Sequence, residues 1–334
     1  EEQLACGASR IGYDRHCREL SVEQIAEREA QGLQSVLRLR VPLEGQTSFH
    51  DVLRGTTTVD NEILEDIVLI KSDGFPTYHM ANVVDDHLME ISHIMRGDEW
   101  LSSCPIHVIL YDHFGWEIPV YVHLPLILDP GGKGKMSKRK TVGPGGKEYP
   151  VLIRDFAAAG YLPDAVINYL ARVGWSYDDR TEVLSRQELV EKFSLDGLNS
   201  SPARFDYDKL DWMAGVYMRE AEADELAAPL LKVYQEAGLD ADLETVRQIV
   251  PLVQPRIKKL TDAVPLTDFI FQDEIPLDAK LLIGKKMDAA SSLEALQKAR
   301  AMLAAVDPFA AEEMEQPLRD LADELGVKVG PLFG

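Results

Sequence analysis

Residues 73–103 read DGFPTYHMANVVDDHLMEISHIMRGDEWLSS, and the succession of element types in this stretch decides the fold class. Asp73, Gly74 and Pro76 supply turn chemistry. The spacing after them predicts a helix from Tyr78 to Met89. ISHIMRG then reads as a buried strand, and Asp98 opens a second helix that runs to Phe114. VYVHLPLIL, at 120–128, reads as another buried strand. Strand, helix and strand in that order predict a parallel α/β unit. Ligand chemistry in such sheets gathers at the carboxyl ends of the strands. Arg96 stands at one such end, and a basic loop follows the other.

That loop is GGKGKMSKRK, residues 131–140, in a chain of net charge −21. Residues 131–147 hold Lys133, Lys135, Lys138, Arg139, Lys140 and Lys147 with no Asp or Glu. The overall charge argues against a general nucleic-acid coat, because backbone binding needs local cations to replace counterions. A local basic surface on an acidic body is still compatible with it. Ammonium groups on a glycine-flanked loop can close over a polyphosphate and stabilise a departing pyrophosphate. A solvated basic turn is the plainer alternative.

Upstream, VLRLRVP at 36–42 reads as a strand. TTTVDNEIL and DIVLIKS read as two more, with Asp60-Asn61 as the turn between them. Downstream of residue 150 the pattern is helix after helix. LPDAVINYLARVG carries Pro163 in its first turn and Gly174 past its end. Ser185 and Glu188 have capping-box spacing. Further helices are expected at 205–214, 222–237, 241–250, 291–304 and 311–325.

At 334 residues and 46% hydrophobic, the chain can bury sizeable cores. No apolar run is long enough for a membrane span, and no secretory leader stands at residues 1–20. Three cysteines, Cys6, Cys17 and Cys104, make a poor disulfide framework. A cytoplasmic setting is the simplest expectation. The P-loop and dinucleotide fingerprints are both absent.

KMSKR, at 135–139 within the loop, resembles the second signature of class I aminoacyl-tRNA synthetases. The stretch 73–103 closely resembles what bacterial-type glutamyl-tRNA synthetases carry before that signature. GYLPDAVINYLARVGW and FDYDKLDWM resemble the same family after it. The likeness covers essentially the whole chain, and its blocks come in the family's order. It implies ATP-dependent activation of glutamate to glutamyl-adenylate, followed by transfer to the 3′ end of tRNA. The implied partners are glutamate, ATP with Mg2+ and the tRNA for glutamate, with no membrane and a monomeric protein.

The resemblance also distributes roles. Tyr78, Asn82 and Asp86 recur every four residues and so share a helical face. An ordinary polar surface stripe is the alternative. In the family the matching Tyr and Asn face the amino acid. Arg96 is implied as the carboxylate partner, its planar fork suiting bidentate pairing. An ion pair with Asp98 or Glu99 would be its structural use. Asp86, Glu99 and Trp100 match positions near the substrate and the tRNA end, and Trp100 is otherwise a core aromatic. Lys138 is implied at the ATP phosphates, assisted by Lys135 and Arg139, with Met136 and Ser137 in the same motif. His123 is expected either to line the nucleotide site or to be a core histidine. Zinc is not expected. HCREL resembles half of a family zinc site through Cys17 and Glu19, but the earlier cysteine pair is not in the chain. Cys104, within a helix, is expected to be an inert buried thiol.

The family's first signature, a His-x-Gly-His-type element, is found at none of the eight histidines. The chain therefore reads as a fragment, and it is not expected to activate glutamate alone. Detectable ATP–pyrophosphate exchange would overturn that expectation. Two other readings stay open: a non-catalytic tRNA-binding module derived from such an enzyme, and a glutaminyl-tRNA synthetase. The helical texture of 220–334 counts against the second, because the implied anticodon region of that enzyme is built of β-barrels. The expected architecture is α/β plus all-α. Residues 1–77 would be an acceptor-end-binding insertion and 78–130 the second half of a Rossmann-like catalytic domain. Residues 131–215 would be the loop and stem-contact domain, and 216–334 a helical anticodon-binding region. RNA contact is expected at Arg38–Arg40, Arg204–Lys209 and Arg256–Lys259.

Overall fold

Proline and glycine placement explains several of the element boundaries around the sheet. The computed structural model describes residues 12–132, 134–138, 141–142, 148–272, 274–275, 278–284 and 287–330. It divides into two compact units, Glu1–Leu266 and Thr267–Gly334.

The first unit opens with helix α1 (Val22–Ala30), capped by Ser21, and the short strand β1 (Leu37–Arg38). Strands β2 (Gln46–Asp51) and β3 (Gly55–Asp60) form an antiparallel hairpin, and β4 (Val68–Ile70) pairs with β1. A turn from β3 into β4 is expected at Asp60-Asn61. Instead Asn61–Ile63 is a 3-10 turn, held by the Asn61 amide on the Glu44 carbonyl and the Thr47 hydroxyl on Asn61. The true partner of β3 is QTSFHD, whose polar residues hid the alternation; every second residue of it is buried. Near β1, the Asp66 carboxylate accepts from Arg18 Nη1 at 2.6 and 2.8 Å and from the Val41 amide at 3.2 Å. Both partners of that ion pair are largely buried.

Helix α2 (Tyr78–Leu88) and strand β5 (His93–Gly97) fall where the spacing predicts them. The expected helix 98–114 is a 3-10 segment, Asp98–Ser103, followed by helix α3 (Cys104–Phe114). Pro105 is the cause: it has no N–H to donate backward and is tolerated only in a first turn. Gly115 closes α3 at φ +68°. Strand β6 (Val120–Leu124) runs parallel to β5, with Arg96 opposite His123. The strand expected to continue to 128 leaves the sheet at Pro125, which lacks a ladder donor. Its remainder, β7 (Ile127–Leu128), pairs with a short strand after residue 200 that the sequence did not reveal. The sheet order is β3-β2-β6-β5. The β2–β3 hairpin thus shares a sheet with β5 and β6, although it lies in the stretch assigned above to an insertion. Helix α3 covers the sheet, burying Cys104, Val108, Tyr121, Phe49 and Ile94 together.

Short strands β8 (Thr141–Val142) and β9 (Glu148–Tyr149) lead into helices, and β10 (Ala203–Arg204) is the partner of β7. Helices α4 (Ile153–Ala158), α5 (Pro163–Arg172), α6 (Arg186–Lys192) and α7 (Tyr207–Glu220) follow the predicted pattern, and the Ser185–Glu188 capping box is formed. Their core joins Phe156, Tyr161, Tyr169, Phe205, Leu210 and Met213, and Met136 of the basic loop packs against it. Gly160 sits at φ +82°, where a Cβ would lie 2.8 Å from the Thr261 amide nitrogen. No L side chain fits that contact. Helices α8 (Ala223–Glu236) and α9 (Leu243–Val253) complete the unit. The second unit holds α10 (Ala289–Leu303) and α11 (Ala311–Glu324), bridged by Lys298 and Glu324 at 2.9 Å.

Candidate active site

Parallel strands β5 and β6 end side by side, so Arg96 and His123 meet at the edge where ligand chemistry is expected. Arg96 Nε donates to His123 Nε2 at 3.1 Å, and Nη1 donates to His107 Nδ1 at 3.2 Å. The Trp100 carbonyl lies 3.5 Å from Nη2. Beneath the guanidinium lies the buried Tyr121 ring, its centroid 5.5 Å away. The alternative ion pairs do not form. Asp98 is bound to Arg54 at 3.1 Å, and Glu99 to Lys135.

The proton positions follow from donor counting. A guanidinium only donates, so both facing ring nitrogens accept. His123 therefore carries its proton on Nδ1, which donates to Asp51 Oδ2 at 2.7 Å. His107 carries its own on Nε2, which donates to His79 Nδ1 at 2.9 Å. Asp51 is fully buried at the end of β2 and also accepts from the amides of Leu53, Arg54 and His123. Burial holds His123 and His79 below the ordinary imidazole value. His107, buried beside Arg96, is pushed down to about 3. Each of the three rings accepts at one nitrogen, which requires it to be neutral in this arrangement.

The open side of Arg96 is framed by α2. Tyr78 lies against Trp100 with centroids 4.5 Å apart and rings tilted by 36°, and the Trp100 side chain is half-buried. One turn on, the Asn82 amide donates to Asp86 Oδ2 at 2.9 Å, and burial raises the Asp86 carboxyl above its ordinary value. Tyr78, Asn82 and Asp86 thus share the face that sequence spacing gave them. His123 has no exposed surface. It stands behind Arg96, held by Asp51. Cys104 is buried, and burial pushes its thiol up to about 12.

The basic loop starts from β7 as a small hairpin. The Asp129 amide donates to the Gly134 carbonyl at 2.8 Å, and the Met136 amide to the Ile127 carbonyl at 2.8 Å. Lys135 Nζ then reaches Glu99 Oε1 at 2.5 Å, and that contact holds the Glu99 carboxyl below its usual range. Glu99 folds back over Gly97, where a Cβ would lie 2.1 Å from Glu99 Oε2. Met136 is half-buried, whereas Ser137 and Lys138 are exposed. Arg139, Lys133, Lys140, Lys147 and Cys6 lie outside the described residues.

Elsewhere the expected sites are engaged within the chain. Glu19 pairs with Arg40 at 3.1 Å, and Cys17 Sγ accepts from Arg28 at 3.8 Å. No group of three or more metal-ligating side chains exists among the described residues. Of the basic spots, Arg38 donates to the Asp66 carbonyl, Lys209 pairs with Glu182 and Lys259 with Asp211. No helix among the described residues is long and apolar enough to cross a membrane.

Residues 1–212 match the catalytic domain of the class I tRNA synthetases for glutamate and glutamine, E and Q. The chain belongs to that family. Residues 223–333 match an anticodon binding domain. A glutamate–tRNA ligase of Roseiflexus sp. is 44% identical over 341 residues, covering 100% of this chain and 66% of the relative. One from Dehalococcoides mccartyi is 43% identical over 328 residues, covering 97% of this chain and 64% of the relative. The chain thus spans just under two thirds of the length of these relatives. A crystal structure of a glutamate tRNA ligase from Elizabethkingia meningosepticum, in complex with its amino acid, superposes with a TM-score of 0.79 at 30% identity. That match covers 99% of this chain and 68% of the other. The synthetase fold is therefore the α/β sheet with its helical continuation.

Sequence reading missed Asp51, His79 and His107. His107 left a signal, a lone imidazole inside the apolar run of α3, where all residues from Cys104 to Tyr111 are buried. Asp51 left none, since its partner is 72 residues away.

Proposed function

We propose that this chain carries the amino-acid-binding edge and the phosphate lid of a glutamate–tRNA ligase. One observation carries the reading. Three of the five N–H donors of Arg96 meet ring nitrogens or a carbonyl. The Cys104 thiol also lies against the guanidinium, and the terminal N–H groups not taken by these partners are what a carboxylate would take. Tyr78 and Asn82 complete that glutamate site, and Asp86, Glu99 and Trp100 lie toward the tRNA end. A carboxylate oxygen of the bound glutamate attacks the α-phosphorus of ATP, and the bond to the β-phosphate bridging oxygen breaks. A ribose hydroxyl of tRNA then attacks the acyl carbon and AMP leaves. Such chemistry asks the protein for positioning and charge stabilisation. Lys138, with Lys135, Ser137, Met136 and Arg139, would meet the leaving pyrophosphate. Lys135 would exchange the Glu99 carboxylate for a phosphate as the loop closes. ATP would enter with Mg2+.

The four-part division at residues 77, 130 and 215, a monomeric state and a cytoplasmic setting belong to the same proposal. The test is a titration of the chain with L-glutamate, read at the Trp100 indole by NMR. Saturable shifts with L-glutamate are expected, and weaker ones with L-glutamine, which has one carboxylate fewer, at equal concentration. A flat response to L-glutamate would sink the reading.

A further inference from the structure

Arg96 and Arg18 are held in opposite ways. Arg18 is locked by the Asp66 carboxylate at 2.6 Å, so its charge is cancelled on the spot. Arg96 touches no carboxylate among the described residues. Its partners are two imidazoles, one carbonyl and the Cys104 thiol, and two acids close in sequence or on α2 are otherwise engaged: Asp98 with Arg54, Asp86 with Asn82. Each imidazole can accept only while it is neutral and in one tautomer. Asp51 imposes that tautomer on His123 from the far ring nitrogen, and His79 takes the far proton of His107. The Asp51 carboxylate is thus kept one ring away from the guanidinium.

We infer that His107 and His123 are positioning residues that fix the Arg96 guanidinium without cancelling its charge, leaving that charge for an incoming carboxylate. Direct pairing with an acid at either position would orient the arginine equally well and disable it. Neutral rings give the orientation alone. This rests on the carboxylate reading of the site, and the experiment separates the two.

The first arm needs no variant. In the chain labelled with 15N-histidine, ring nitrogen spectra near neutral pH should show His123 protonated on Nδ1 and His107 on Nε2, both neutral. A charged ring or the opposite tautomer at either residue overturns the inference, whatever glutamate does. The second arm compares L-glutamate binding by wild type, H107N and H107D at the Trp100 indole. Asn and Asp both place an acceptor oxygen where His107 Nδ1 stands, and only Asp brings charge. H107N should bind within about threefold of wild type, since one neutral acceptor replaces another. H107D should bind about tenfold more weakly or worse, because its carboxylate competes with the ligand for the same cation. Equal weakening in both variants would mark a merely structural histidine and overturn the inference. A wild-type chain that ignores L-glutamate but responds to acetate fails the ligand reading and leaves the rings to the nitrogen spectra. No response to either carboxylate overturns both.

Discussion

The two arginine sites of the first unit make an instructive pair. Arg18 and Asp66 cancel each other in a largely buried ion pair that ties the start of the chain to the β1 region. Arg96 is held by rings that cannot cancel it. The same side chain serves as a structural tie in one place and as a held charge in the other, and the chemistry of its acceptors makes the difference. Stability should therefore depend on the first pair, and ligand binding on the second.

The largest effect should come from D66A, which strands Arg18 and the Val41 amide in the interior. It is expected to cost about 5 kcal/mol in urea unfolding, the upper range for breaking a buried pair. A cost near that of a surface pair would erase the distinction. Acid should act on the other site. In the folded chain His107 titrates at about 3, below its ordinary 6.5, and burial lowers His123 as well. Unfolded rings take protons first as the pH drops, so this stability is complete above 6.5 and is lost toward about 3. For His107 the loss should be on the order of 4 kcal/mol at the acid end. H107N, with no titrating ring there, should flatten the slope of urea midpoint against pH.

Binding sharpens the contrast further. R96K keeps the charge and loses the fork, and should weaken L-glutamate binding about a hundredfold, the worth of one or two charge-assisted hydrogen bonds. R18K should leave binding unchanged; parallel losses would show that the sites are not distinct. The smallest effect belongs to E99Q. Its partner Lys135 is mostly exposed, so stability should shift by less than about 1 kcal/mol while the Lys135 contact is lost. Faster proteolysis of the loop after Lys135 is the measurement, and an unchanged cleavage rate would dismiss Glu99 as its tether.

Much of this was legible from residue order. The α2–β5–α3–β6 succession, the capping box at Ser185 and the shared face of Tyr78, Asn82 and Asp86 all follow from periodicity and local chemistry, which act within a few residues. The β2–β3 hairpin did not, because Gln46–Asp51 is polar at its exposed positions and its alternation is short. The break at Pro125 is a local signal, since proline brings no ladder donor. The Asp51–His123–Arg96–His107–His79 chain was out of reach for a different reason. It joins β2, β6, β5, α3 and α2, and only tertiary pairing brings those elements together.

The rings around Arg96 have one more consequence. A free arginine side chain explores many rotamers, and ordering it on a ligand costs on the order of 2 kcal/mol of entropy. Here Nε and both terminal nitrogens already face acceptors before any ligand arrives. The disorder is removed when the chain folds, once, so each later encounter meets a guanidinium with little freedom left to lose.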